Sequence, residues 1–228
     1  MSEWWTYRPE DFLLFSPRVY WRVFELHNAA LWPLQLVALS TGVFTVLLVA
    51  WRPRGHGRWI AFILAVAWAF VGWSFLWSRY ATINWAAVYV APGFAVQAML
   101  LLVAGALPDG LCFDRRGPGA WAGYLLVAFA LAGQPLLAPL QGRVWSSSEI
   151  FGIAPDPTAI GTLGLLLLAR GKFLPLLLPV PVLWCLLSAM TLWTLGALEA
   201  WASFAAVALT LTALIASIAD RRGLPPVA

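Results

Sequence analysis

At 228 residues the chain has room for one or two soluble domains, but 62% of it is hydrophobic and 11% charged, against roughly 45–50% and 25% for ordinary globular proteins. A mean hydropathy of +0.82, with apolar residues grouped in blocks of about 20, the length that crosses a hydrocarbon core, excludes a soluble fold. The net charge of +4 brings no basic stripe or nucleic-acid motif, so nucleic acid is not an expected partner.

Residues 1–28 are aromatic, charged and non-spanning. Pro9 with Glu10 and Asp11 reads as one helix start, and Ser16-Pro17 as another, an N-cap followed by proline at N1. Arg18, Arg22 and Glu25 then share one helix face, with Val19, Tyr20, Val23, Phe24 and Leu26 around the rest. This predicts an N-terminal interfacial amphipathic helix lying along the headgroups. The segment lacks the compact apolar core of a cleavable signal, so the first span is expected to direct membrane insertion.

Hydropathy predicts about seven transmembrane helices, over 29–51, 59–77, 85–107, 121–140, 150–169, 173–197 and 199–219. The fifth is the shortest in clean apolar sequence, Ala159–Ala169, behind a run holding Glu149, Pro155, Asp156 and Pro157. Six crossings plus a re-entrant segment is the alternative topology. The domains are an interfacial segment 1–28, a bundle 29–219 and a cytoplasmic tail 220–228. With seven spans, nine basic residues (Arg52, Arg54, Arg58, Arg115, Arg116, Arg170, Lys172, Arg221 and Arg222) fall on one side. Five (Arg8, Arg18, Arg22, Arg79 and Arg143) fall on the other. The positive-inside rule then puts the N-terminus outside and the C-terminus in the cytoplasm. Thirteen of the 14 basic residues are arginine, a bias that points to a GC-rich bacterial genome and an inner-membrane location. Trp32, Trp51, Trp59, Trp77, Trp85, Trp121 and Trp201 mark predicted span ends, the aromatic-belt position.

The outer side collects the residues that could carry chemistry: Glu25, His27, Arg79, Tyr80, Asn84, Glu149, Asp156 and Thr158. Ionisable groups beside hydrocarbon need a partner or a cavity. Arg79 with Glu149 or Asp156 therefore reads either as a clamp between outer loops or as part of a solute site. His27 reads as an interfacial, hydrogen-bonding histidine, and His56, in RPRGHGR, as solvated. The spans hold only mild polar groups, among them Gln35, Gln97, Gln134, Ser188 and Thr191, and no deep ionisable residue. That argues against proton-driven mechanisms. Gly161 and Gly164 suggest close helix approach, and Pro135, Pro139, Pro175, Pro179 and Pro181 suggest kinks. No metal spacing, haem pair or catalytic motif is present, so neither a cofactor nor an enzymatic activity is expected.

The blocks WWTYRPEDFLLFSPRVYWRVFELHN, RYATINWAA, GIAPDPTAIGTLGLLLL and PVLWCLLSAMTLWTLGALEAW resemble a domain-of-unknown-function family of small bacterial membrane proteins. Members are often labelled "MFS transporter permease". The resemblance covers nearly the whole chain, but it adds little about activity and assigns no functional residue. The expected function is a small-solute permease or carrier with its site on the outer face. The alternative is a non-catalytic subunit or assembly factor of a larger membrane complex. Expected partners are the lipid bilayer, a small-molecule solute, and a second copy or another membrane polypeptide.

Overall fold

A computed structural model describes residues 15–108, 110–113 and 119–221. The predicted helix start at Pro9, the Arg115-Arg116 pair and the 222–228 tail lie outside the described residues. Helix α1 (Pro17–Leu31) begins where the N-cap signal places it: Ser16 Oγ accepts from Val19 N at 3.4 Å, with Pro17 in the first turn. Its inner face is Tyr20, Val23, Phe24, His27 and Asn28, and its outer face carries the 2.5 Å Arg22–Glu25 ion pair.

Among the described residues, six helical stretches are long and apolar enough to cross a membrane: Leu34–Trp51, His56–Thr82, Ala87–Ala106, Ala120–Leu140, Leu174–Thr194 and Glu199–Ile218. They contain α2 (Leu34–Trp51), α3 (His56–Val71), α4 (Ala87–Ala106), α5 (Ala120–Ala128), α6 (Gln134–Leu140), α8 (Leu174–Leu177), α9 (Pro179–Thr194) and α10 (Glu199–Arg221). Large apolar side chains such as Val37, Phe62, Met99, Met190 and Ile215 face outward. Gln97, Gln134, Thr162, Ser203 and Thr210 face inward. This inside-out polarity belongs to a bundle solvated by lipid.

Other elements satisfy carbonyls that the prolines orphan. Pro181 cannot donate to Leu177 O, and Gln97 Nε2 on α4 does so instead at 3.0 Å. Pro139 cannot donate to Pro135 O, and Ser148 Oγ takes its place at 2.8 Å. Each of these two prolines is thereby tied to a second element.

The fifth predicted span is the exception. It forms α7 (Pro155–Leu167), 13 residues and about 20 Å long, below the roughly 30 Å of a bilayer core. Every one of its residues is buried. It packs among α3, α5, α9 and α10, so it is the central helix of the bundle. The segment before it is tied to α1: Asn28 Nδ2 donates to Ser146 O and Ser148 O at 2.7 and 2.8 Å. The segment after it, β2 (Ala169–Arg170), pairs antiparallel with β1 (Cys112–Phe113). There Phe113 N donates to His56 Nε2 at 3.3 Å. His56 is thus half-buried and hydrogen-bonded, where the sequence suggested a solvated residue. Helix α2, which separates Asn28 from His56 in sequence, is 18 residues and about 27 Å long.

Candidate functional site

The site grows from the start of α7. Ala154 is its N-cap, Pro155 and Asp156 open the first turn, and proline there sacrifices no helix bond. The approach is a tight turn through Gly152 at φ 77°. Thr158 closes it: its Oγ1 accepts from Gly152 N at 2.9 Å and donates to Ala154 O at 2.7 Å. One turn on, Thr162 Oγ1 donates to Thr158 O and accepts from Trp68 Nε1 on α3 at 2.9 Å. Non-helical backbone at this depth is tolerated because protein receives its polar groups.

Asp156 is 1% exposed. Its carboxylate accepts from Trp184 Nε1 at 2.7 Å and Ser188 Oγ at 2.5 Å, two residues one turn apart on α9. The positive end of the α7 dipole lies at this carboxyl group. Glu149, at 3% exposure, accepts from Gln134 Nε2 at 2.5 Å, and its Oε1 has no partner. Burial first, and then the charge of Asp156, push the Glu149 carboxyl up to about 8, against the opposing Gln134 bond and Arg143. Arg143 donates to the buried Glu199 and lies 3.5 Å over the Trp21 ring. Three acids are therefore buried inside the bundle. The sequence set Glu149 and Asp156 on the outer side at the start of the fifth predicted span, and the central position of α7 buries both in protein.

Tyr80 and Asn84 adjoin this centre. Tyr80 Oη accepts from Asn84 Nδ2 at 3.0 Å, and Asn84 Oδ1 accepts from Ala86 N. The Tyr80 ring stacks with Phe75 and meets Tyr20 edge-on, with centroids 6.0 and 5.9 Å apart. Tyr20, Phe75, Tyr80, Asn84, Trp184 and Ser188 line part of a cavity of about 130 Å³, whose other walls are largely apolar.

The other expected residues stand apart. Glu25 is committed to Arg22 on the surface. Arg79 is half-buried and forms no ion pair with Glu149 or Asp156 among the described residues. His27 is 2% exposed, packed edge-on to Phe75 and beside the Ile153 backbone. Burial first, and then Arg79, push it down to about 4, so it is neutral at pH 7. Its predicted interfacial setting is replaced by an interior one.

Residue types alone did not pick out Tyr20, Trp184, Arg143 or Glu199 for this centre. The available signal was the Trp184–Ser188 spacing, which sets two polar groups on one face of an otherwise apolar helix.

Comparison with known families fits this architecture, since one family signature covers residues 17–222. The chain belongs to DUF6064, a family of unknown function. No curated protein and no solved structure matches it. This DUF6064 protein is a multi-pass membrane protein, and nothing ties it specifically to the major-facilitator transporters named in the label its relatives often carry.

Proposed function

We propose that this protein is a small-solute permease or carrier of a bacterial inner membrane, with its binding chamber at the outer end of α7. The observation that carries the reading is the cavity at the buried start of a short central helix, whose wall residues Trp184 and Ser188 hold the Asp156 carboxylate. A helix that begins inside the bundle at a cavity carrying a few polar groups is the arrangement from which membrane carriers build solute sites. The topology belongs to the same proposal. Residues 150–169 join the Asn28 end to the β1–β2 end, making seven crossings, and the basic-residue excess orients the N-terminus outward. In this reading α1 lies along the outer interface, and the chamber binds solute without transforming it.

The test is solute flux in reconstituted vesicles, measured by light scattering with glycerol, acetate and methylammonium as separate osmolytes. Flux above protein-free vesicles for at least one of them, abolished by filling the cavity with Thr191→Trp, is the expected result. Flux that matches protein-free vesicles for all three overturns the proposal.

One observation favours the second reading, a subunit or assembly factor. Trp193, Trp201 and Phe204 form an aromatic cluster with centroids 5.0–6.3 Å apart on the outer surface of α9 and α10, and Trp193 and Trp201 are more than half exposed. Native mass spectrometry of gently extracted protein separates the two. A defined co-purifying polypeptide supports the subunit reading, and a particle at multiples of 25.0 kDa opposes it.

A further inference from the structure

We propose that the basic end of the α3–α4 pair holds an anionic glycerophospholipid, its phosphodiester on Arg58 and an acyl chain in the groove between the two helices. The groove has a volume of about 430 Å³ and is lined by Arg58 and Phe62 on α3 and by Leu102, Gly105 and Ala106 on α4. That size is within the range of small-molecule sites, about 300–1,000 Å³. The helices approach closely at Gly105, where a Cβ would stand 2.6 Å from Ala61 Cβ and 3.6 Å from Arg58 O. Phe62 and Leu102 are 50% and 40% exposed, so the groove opens on the apolar surface that faces lipid. The neighbouring Trp51 and Trp59, both exposed, mark the headgroup level at this end. Arg58 therefore sits at that level with an apolar groove beside it, an arrangement that matches an amphiphile.

Charge selects the headgroup. Arg58 is exposed and forms no ion pair or hydrogen bond among the described residues. It lies in the first turn of α3, which holds no acid and has no side-chain cap. The positive end of the helix disfavours a cation there unless an anion is supplied. In sequence, segments 52–58, 108–116 and 170–172 hold seven basic residues against two acids, Asp109 and Asp114. The β1–β2 pairing and the bond from Phe113 N to His56 Nε2 bring the three segments to one end of the molecule. Basic pockets between spans are receptors for lipid phosphates, and the guanidinium fork matches phosphate oxygens. A zwitterionic lipid carries an ammonium group that the basic surplus repels. Inorganic phosphate makes no use of the apolar groove. A lipid with net negative charge satisfies both parts.

The experiment is native mass spectrometry of the full chain in detergent, titrated with phosphatidylglycerol or with phosphatidylcholine of the same acyl chains. One phosphatidylglycerol per chain should bind in preference to phosphatidylcholine. Arg58→Gln should weaken that first binding by about tenfold or more. Ala106→Trp, which fills the groove from an exposed position, should weaken it comparably. Lys172→Gln, a basic residue outside the groove lining, should leave it unchanged, and excess inorganic phosphate should not displace the lipid. Equal binding of the two lipids overturns the assignment, as does displacement by inorganic phosphate. So does a loss in only one groove variant or in neither, or an equal loss in Lys172→Gln, which would reveal bulk attraction to the basic end.

Discussion

Glu149 carries the clearest residue-scale consequence. In the folded protein it keeps its proton to about pH 8, whereas its ordinary value is 4.5. Between those values the folded state holds a proton that the unfolded state has lost, so stability falls as pH rises. The contribution is complete below about pH 4.5 and gone above about pH 8. Tm should therefore decline by about 5 °C or more from pH 5 to pH 8. Glu149→Gln, which stays neutral and can still bond to Gln134, should flatten that decline. A slope unchanged in the variant would show that other groups govern the pH response. At Thr162 the stake is a hydrogen bond rather than a charge. Thr162→Val leaves the buried Trp68 Nε1 without an acceptor and should cost about 1–3 kcal/mol, measured by denaturation in mixed micelles.

At the scale of elements, two devices hold α7 and the proline-bearing spans in place. The first is close backbone approach. A Cβ at Gly164 would stand 2.7 Å from Gly123 O on α5, and one at Gly123 would stand 2.8 Å from Gly164 O. Gly164→Val should therefore lower Tm sharply or abolish folding, whereas Gly93→Ala, with open space at its Cβ, should be nearly neutral. The second is the pairing of Pro139 and of Pro181 with a remote donor. Ser148→Ala strips the donor from Pro135 O and should cost about 1–2 kcal/mol. Pro139→Ala restores a backbone N–H four residues on, so in that background the Ser148→Ala cost should nearly vanish. Equal costs in both backgrounds would contradict the pairing. This pairing also explains why the spans tolerate these two prolines.

At the scale of the whole molecule, the question is how many times the chain crosses. By length and composition six helices qualify among the described residues, and the seventh crossing of the proposed topology would fall to a helix that is too short when taken alone. Protein rather than lipid surrounds it, so the usual length requirement is relaxed along its non-helical approach. Single cysteines at Trp145 and Lys172, both exposed, bracket this segment. In intact cells a membrane-impermeant maleimide should label Trp145→Cys and leave Lys172→Cys unlabelled until the membrane is opened. Labelling of both from outside would make 146–170 re-entrant and place both chain termini on one side.

Much of this was legible in the residues. Composition and block length determined the membrane class, because no soluble core can absorb so much apolar surface. Ser16-Pro17 determined the start of α1, and hydropathy found the long spans to within a few residues, because a lipid-facing helix must be apolar along its length. The central position of α7 was not legible. An interior helix is freed from that requirement, so its acids and prolines left the segment readable either as a crossing or as re-entrant. Only the tertiary structure decided that Glu149 and Asp156 are buried and that Trp184 and Ser188 close on the second of them. Contacts between residues 28 and more apart depend on how the helices pack, and no local pattern encodes that packing.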